Sequence, residues 1–257
     1  MSESEGFDEL VRALTNAHHI LIFTGAGIST GSGIPDYRGP QGLWKTRKPI
    51  DFHDFMADEA KRREYWQQKS EDWVSFAEAE PTPAHKAICS LAEAGKLEAC
   101  ATQNIDGLHA MAGLSANHLI ELHGSNRLVE CMSCGRFEPA EPFYLSYKPD
   151  TPCPLCACGG FWKPAVISFG QSLREKDLEK AQKATLACDL VIALGSTLSV
   201  TPAATFPIFA ARNGVPYHII NQGPTHHDGM PMVAGRIEAD VQAVFPEAVQ
   251  QALLMCG

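Results

Sequence analysis

The stretch FTGAGISTGSGIPDYRG at residues 23–39 carries five glycines and continues from the apolar run HILIF at residues 19–23. A buried strand that leads into a glycine-rich turn is typical of dinucleotide-binding folds, because glycines let backbone N–H groups approach phosphates. The dehydrogenase fingerprint G-x-G-x-x-G starts with Gly25 and Gly27, but Thr30 stands where the third glycine belongs. The pattern therefore predicts a ligand-binding turn of another kind, and a tight turn without a ligand is the alternative.

The residues after this turn also argue against a hydride-transfer enzyme. Such an enzyme needs an acidic residue about twenty positions further on, at the end of a second strand, to hold the adenosine ribose. Here that zone reads LWKTRKPIDFHDF at residues 43–55 and lacks a strand pattern. A dehydrogenase is therefore the weakest interpretation of the turn.

The composition describes a globular protein. The chain has 257 residues, of which 45% are hydrophobic and 20% charged, with a net charge of −9. This charge argues against nucleic-acid or membrane partners but is compatible with a lysine-rich peptide. No apolar run reaches the roughly 18 residues of a membrane span, and the acidic start MSESEGFDEL lacks the features of a targeting segment. We expect a cytoplasmic protein, and the sequence does not determine its oligomeric state.

Strands and helices alternate along most of the chain. This order predicts an α/β fold, a Rossmann-like parallel sheet with helices on both faces. The predicted strands are residues 19–23, 98–103, 118–124, 188–197 and 216–222. The predicted helices are residues 7–17, 54–79, 82–96, 174–186 and 202–213. The interval 128–163 is rich in Cys, Pro and Gly and breaks the alternation. We therefore divide the chain into a discontinuous Rossmann-like domain, residues 1–127 and 164–257, and a small inserted module, residues 128–163.

The inserted module contains five of the nine cysteines. Cys131 and Cys134 form one C-x-x-C pair, Cys153 and Cys156 form a second, and Cys158 follows. Two such pairs at this separation predict a zinc ribbon, because each pair of thiolates supplies half of a tetrahedral Zn²⁺ site. Four-coordinate zinc needs only two of the last three cysteines, and a chance cluster of buried cysteines is the alternative. With no histidine placed as a ligand, the site is structural, with one zinc per chain.

Polar residues follow two further predicted strands. Gln103, Asn104 and Asp106 in TQNIDGLH come directly after one strand, and His123 in ELHG ends another. Ligands of α/β sheets bind at this carboxyl edge. His123 is a candidate general base, since a histidine pKa is easily placed near neutrality. A capped loop and a structural histidine are the alternatives.

Together these motifs identify a family. The segments GAGIS, SGIPDYRG, TQNIDGLH and ELHG, the paired cysteines and LGSTLSVTPAA occur in this order in the sirtuins, NAD-dependent protein-lysine deacylases. The resemblance spans roughly residues 8–250. It implies that NAD is a co-substrate: the acyl-lysine amide oxygen attacks the nicotinamide ribose, nicotinamide leaves, and the acyl group ends on ADP-ribose. Acylated-lysine proteins or peptides are the implied partners.

The resemblance also implies roles for individual residues. His123 and Asn104 would be catalytic. The NAD-binding residues would be Gly25, Ala26, Gly27, Tyr37, Arg38, Gln103, Asn104, Asp106, Gly195, Ser196, Asn221 and Val241. The segment PAVISFG at residues 164–170 would pair with the substrate peptide as an added strand, with Val166 and Phe169 lining the acyl-lysine channel. Among the cysteines it favours Cys131, Cys134, Cys153 and Cys158, with Cys156 as the alternate.

Some residues depart from the common family pattern. Tyr37 and the segment RREYWQQKSEDW at residues 62–73 resemble the class II, mitochondrial-type branch, and Gln171 replaces the glutamate of the usual FGE. Members that prefer succinyl- or malonyl-lysine share a Tyr-x-x-Arg pair, which here reads Tyr65 and Gln68. Lys69 lies about 100° further around the helix, so we expect it to point elsewhere and neutral acyl groups to be preferred.

Two other functions remain open at this stage. A mono-ADP-ribosyltransferase on the same fold would attach ADP-ribose to protein instead of forming O-acyl-ADP-ribose. A non-catalytic zinc-ribbon binding module would lack turnover altogether, which His123 in ELHG argues against.

Overall fold

The computed structural model describes residues 3–36, 42 and 47–256. Its strands are β1 (Ile20–Thr24), β2 (Leu97–Thr102), β3 (Leu119–Glu121), β4 (Gly124–Cys131), β5 (Phe137–Pro139), β6 (Trp162–Val166), β7 (Leu190–Leu194), β8 (Tyr217–Ile220) and β9 (Gly235–Ile237). Its α-helices are α1 (Glu3–Asn16), α2 (Phe52–Ala57), α3 (Glu59–Glu78), α4 (Pro83–Glu93), α5 (Leu108–Met111), α6 (Glu141–Ser146), α7 (Glu175–Ala187), α8 (Thr205–Arg212) and α9 (Val241–Cys256). None of these helices combines the length and apolarity that crossing a membrane requires.

Six strands form one sheet in the order β3-β2-β1-β7-β8-β9, and every neighbouring pair is parallel. This order confirms the predicted Rossmann-like fold. The chain adds strands outward from β1 to β3 on one side and outward from β7 to β9 on the other. The connections after β1 and β7 therefore leave toward opposite edges of the sheet. A crevice opens at such a switch point, beyond the carboxyl ends of the strands.

Both faces of the large sheet are buried, which explains the continuous apolar strands. Successive side chains of a strand point to opposite faces. In β1, Ile20 and Ile22 pack in a cluster with Leu14 of α1 and Phe245 of α9. Leu21 and Phe23 belong to a second cluster, whose other members include Ala181 and Ala184 of α7 and Ala210 of α8.

A smaller antiparallel sheet has the order β5-β4-β6. Its apolar side packs with α3 and α6 in a third cluster that includes Trp66, Trp73 and Tyr144. The helix predicted at 54–79 is divided at Asp58, whose side chain accepts a bond from the Ala60 N–H and starts α3. The division of the chain at residues 128 and 163 stays a prediction; β4 begins before the first boundary and β6 ends after the second.

Four thiols meet at one end of the small sheet. The sulfur atoms of Cys131, Cys134, Cys156 and Cys158 all lie within 4.8 Å of one another. The sulfurs of Cys131 and Cys158 are 3.5 Å apart, and those of Cys134 and Cys156 are 3.9 Å apart. Tetrahedral zinc with bonds of about 2.3 Å separates its sulfurs by about 3.8 Å. The cluster therefore fits a structural zinc ion.

The favoured ligand Cys153 does not belong to this cluster, so this prediction is wrong and the alternate Cys156 takes its place. The reason is the shape of the second turn. A bridge pairs Leu155 with Phe161, and the Cys156 N–H donates to Gly160 O. These contacts place Cys156 and Cys158 in the turn beyond the bridge, whereas Cys153 precedes it. The second pair is therefore C-x-C and not C-x-x-C.

We predict that the purified protein contains about one zinc ion per chain. Cys156→Ser should release the metal and lower the melting temperature, because structural zinc contributes directly to folding. Cys153→Ser is the matched control and should keep both. Metal analysis of freshly purified, unchelated protein tests this, and zinc loss in the Cys153→Ser variant alone would contradict it.

Candidate functional site

A cavity of about 1760 Å³ opens at the carboxyl ends of the parallel strands. Residues from the turns after β1, β2, β3, β7 and β8 and from the end of β6 line it. The predicted site residues among its lining are Gly25, Ala26, Gly27, Gln103, Asn104, His123, Val166, Phe169, Gly195, Ser196, Asn221 and Val241. Tyr37 and Arg38 lie outside the described residues. The cavity exceeds the roughly 300–1,000 Å³ of most small-molecule pockets, which suits two substrates bound together.

The glycine turn is packed against the turn that follows β7. A Cβ on Gly25 would lie 2.7 Å from the Ser196 Cβ, and one on Gly27 would lie 2.7 Å from the Gly195 Cα. Gly195 itself has a φ of 60°, which favours glycine. The Gly25 and Gly27 N–H groups donate to the backbone oxygens of Leu194 and Gly195. These two N–H groups are therefore used within the protein, and the glycines are required for close backbone packing.

The glycine turn leads into short 3-10 segments, Ala26–Ile28 and Thr30–Ser32, and not into the long helix that dinucleotide-binding folds place there. A segment of one turn has little of the N-terminal dipole that a long helix offers to a phosphate. Binding at this edge therefore relies on shape and on side chains from several strands.

Gln103 connects three strand ends. Its side-chain Nε2 donates to Ser196 Oγ at 2.8 Å and to the Thr24 carbonyl at 3.3 Å. Its own carbonyl lies 3.0 Å from Nδ1 of His123. Because a carbonyl oxygen only accepts, Nδ1 carries the proton, which makes Nε2 the basic nitrogen of the neutral ring. The turns after β1, β2, β3 and β7 are thus fixed relative to one another.

A second hydrogen-bond chain supports Asn104. Its Nδ2 donates to Ser29 Oγ at 3.1 Å, and Ser29 Oγ donates to Asp106 Oδ2 at 2.7 Å. Asp106 is only 3% exposed and does not line the large cavity, although we expected it to contact NAD. It orients Asn104 through Ser29. Sequence reasoning missed Ser29, although it stands inside the GAGIS motif.

A histidine pair lies behind Asp106. His85 and His109 are buried, and with Asp106 they bring ligand atoms within 4.8 Å of one another. Burial lowers the pKa of both histidines, so both are neutral. Both Asp106 oxygens already accept hydrogen bonds, from Ser29 and from the Leu108 N–H. We assign this cluster to support of the Asp106 turn and not to a metal.

The far end of the cavity is formed by the turn after β8. Asn221 lines it, but its Nδ2 donates to the carbonyls of Gln222 and Gly223. Arg236 of β9 braces the same turn by donating to Asn221 O, Gly223 O and Asp228 Oδ1. Sequence reasoning did not find Arg236, because nothing in a local motif marks a side chain that holds a distant turn.

One face of α3 lines the opposite end of the cavity. Tyr65, Gln68, Lys69 and Asp72 all contribute, as expected for positions i, i+3, i+4 and i+7 of a helix. The expectation that Lys69 points elsewhere is therefore wrong. Burial lowers the pKa of Lys69, and the nearby Asp72 carboxylate opposes that shift. Asp72 also binds Arg47 at 2.9 Å.

We predict that Gly27→Ala destabilises the fold by about 1–3 kcal/mol, because the added Cβ meets backbone atoms that cannot move aside. Gly31→Ala is the matched control in the same loop, since its Cβ would be 3.5 Å from the nearest atoms, all in side chains. Chemical denaturation of both variants measures the difference. Equal stability of the two would refute the packing argument.

Known proteins with similar sequences identify the family of this chain. A family model described as the Sir2 family matches residues 25–202. The chain is 41% identical over 223 residues to NAD-dependent protein deacetylase 1 of Bradyrhizobium diazoefficiens, which covers 87% of this chain and 88% of the relative. It is 38% identical over 253 residues to the NAD-dependent protein deacetylase of Sulfolobus acidocaldarius, which covers 97% of this chain and 95% of the relative. These relatives, one bacterial and one archaeal, give no support to the class II, mitochondrial-type assignment.

Solved structures show the same fold. A complex of a Sir2 homologue with NAD superposes with a TM-score of 0.85 at 30% identity, covering 97% of this chain and 95% of that one. A complex of Sir2 with a p53 peptide and NAD⁺ gives a TM-score of 0.84 at 31% identity, covering 96% and 99%. Because the family model matches more than half of the residues and full-length relatives exceed 30% identity, the chain belongs to the Sir2 family.

Proposed function

We propose that this chain is an NAD-dependent protein-lysine deacylase that removes neutral acyl groups and forms nicotinamide and O-acyl-ADP-ribose. One observation carries the proposal: His123 shares a single cavity with the glycine turn at one side and with the Val166–Phe169 segment at the other. A base placed between a nucleotide site and a peptide site fits a reaction that joins the two substrates. The relatives named NAD-dependent protein deacetylase support this assignment.

The strand ends fit NAD as the first substrate. Ala26, Gly195 and Ser196 would contact the phosphates and the adenosine side, where Asn221 and Val241 also line the cavity. Tyr37 and Arg38 would complete the phosphate end, and Gln103 with Asn104 would face the nicotinamide ribose. Asp106 would hold Asn104 in place through Ser29. When bound, NAD supplies the sugar carbon that the acyl oxygen attacks.

His123 would act as the general base. Its Nδ1–H is held by the Gln103 carbonyl, so Nε2 takes the proton from the ribose hydroxyl and the carbonyl stabilises the resulting imidazolium. The Asn104 amide donates to Ser29, which makes its Oδ1 the acceptor for a substrate hydroxyl. Both side chains are fixed by backbone or buried partners before substrate binds, and such preorganisation favours the transition state.

The acylated peptide would bind beside β6. The chain after Val166 turns at Gly170, whose φ is 77°, and the Phe169 carbonyl accepts a bond from the Phe52 N–H at 2.8 Å. β6 is an edge strand of the small sheet, so its backbone offers pairing to a peptide strand. Support comes from the Sir2 structure solved with a p53 peptide. We place the reaction in the cytoplasm.

We predict that His123→Ala lowers kcat for deacetylation by about 10²–10⁴-fold, as expected for loss of a general base. NAD binding, measured by calorimetry, should persist, because the ring does not hold the glycine turn. His19→Ala is the control, since the side chain of this histidine is exposed and pairs only with Glu98 among the described residues. Turnover near the wild-type rate in His123→Ala would remove His123 from the mechanism.

We predict a higher kcat/KM for acetyl-lysine than for succinyl-lysine peptides of the same sequence. Lys69 lines the cavity, but burial lowers its pKa and so disfavours the charged ammonium, and the Asp72 carboxylate beside it offsets part of that charge. Burying an unpaired carboxylate is costly. Asp72→Asn should raise the relative rate on succinyl-lysine. A wild-type preference for the succinyl peptide would contradict the prediction.

A further inference from the structure

A fully buried lysine stands directly behind the proposed peptide segment. The Lys163 side chain in β6 has no exposed surface and does not line the cavity. Its Nζ lies 5.5 Å from the Tyr65 ring centroid and 6.0 Å from that of Phe52. Burying a lysine without a carboxylate partner is unusual and costs stability. The catalytic steps derived above do not use it.

Among the residues that the structure describes, every acceptor of this lysine belongs to the segment that follows it in the chain. Nζ donates to the Val166 carbonyl, to the Pro164 carbonyl at 3.3 Å and to Gln171 Oε1 at 3.2 Å. All three oxygens belong to neutral groups. Gln171 is also the residue that departs from the family FGE pattern.

Gln171 passes the constraint on to the backbone. Its Oε1 also accepts from the Ser168 N–H at 3.2 Å, and its own N–H donates to the Ser168 carbonyl at 3.0 Å. Ser168 Oγ lies 3.5 Å from the hydroxyl of Tyr65, another cavity residue. The ammonium group therefore ties both ends of the turn 166–171, which forms the peptide side of the cavity.

We infer that Lys163 is a positioning residue for the acyl-lysine substrate: with Gln171 it clamps the turn 166–171 in the conformation that binds the acylated peptide. The inference rests on the proposed deacylase function and adds the group that shapes its peptide site. Lys163 touches neither substrate, so its effect is exerted through Val166 and Ser168. Removing it should weaken peptide binding and leave the chemical step and NAD binding largely intact.

The clamp also predicts a pH dependence. Burial, together with the charges of Lys69 on α3 and of Arg174, the residue before α7, lowers the pKa of Lys163 to about 7, and Glu130 on β4 opposes this shift. Glu130 is itself paired with Arg174 at 2.7 Å. Below this pKa the ammonium has three donors for three acceptors, and above it the amine has two. The KM for peptide should therefore rise as pH increases through about 7.

Steady-state kinetics on an acetyl-lysine peptide test the clamp. Lys163→Met keeps an unbranched side chain one atom shorter but removes its donors, and it should raise the KM for peptide about five- to tenfold. The KM for NAD and kcat should change less than about twofold. Lys163→Arg should recover part of the loss, and Lys183→Met, at an exposed position on α7, is the matched control. An unchanged KM for peptide in Lys163→Met would overturn the inference.

Substitutions at Gln171 test the second half of the clamp and do not depend on the stability of Lys163→Met. Gln171→Leu removes the shared acceptor and should also raise the KM for peptide. Gln171→Glu supplies a carboxylate that raises the pKa of Lys163, so the rise in KM should move to higher pH. Identical pH profiles for wild type and Gln171→Glu would count against the clamp.

Amide hydrogen exchange separates failure of the inference from failure of the proposed function. The Ser168 N–H is protected by Gln171 Oε1, and this protection should fall in Gln171→Leu and Lys163→Met with zinc content unchanged. Absence of any turnover by the wild type would refute the deacylase assignment, yet the exchange data would still decide the clamp. Unchanged protection of the Ser168 N–H in both variants would contradict the clamp.

Discussion

The close approach of the turns after β1 and β7 is the constraint on which the rest of the site depends. The strand order changes direction between β1 and β7, so the connections that follow these strands leave toward opposite edges of the sheet and open a crevice. They stay in contact only because Gly25, Gly27 and Gly195 lack side chains; each added Cβ would meet backbone at less than 3 Å. The depth of the crevice, and thus the space for a dinucleotide, follows from this backbone contact.

The polar groups of the site are attached to that contact. Gln103 binds Ser196 beside Gly195, and His123 binds the Gln103 carbonyl. A displacement of one turn would therefore be transmitted to the proposed base. These hydrogen bonds orient the groups before the reaction, so little reorganisation energy is needed to reach the transition state. It also explains why residues far apart in sequence form one site.

The small sheet connects the zinc cluster with the chemistry. β4 starts at Gly124, directly after His123, and a Cβ on this glycine would lie 2.0 Å from the Ala165 carbonyl of β6. The Ile167 N–H in turn donates to the His123 carbonyl at 2.8 Å. The glycine of ELHG thus permits the strand pairing that places the base beside the peptide segment. At the other end of β4, Cys131 enters the thiol cluster.

The sequence by itself determined the class of fold, the positions of the strand-end motifs and the presence of a thiolate metal site. These depend on local patterns, because apolar runs, glycine turns and closely spaced cysteines are visible in short stretches of sequence. Only the tertiary structure decided that Cys156 replaces Cys153, that Lys69 lines the cavity and that Asp106 lies behind it. Only the structure also revealed the contacts through which Ser29, Arg236 and Lys163 support the site. Each of these depends on a turn closing or on a side chain meeting a partner from another part of the chain, and such distances are set by packing and not by sequence spacing.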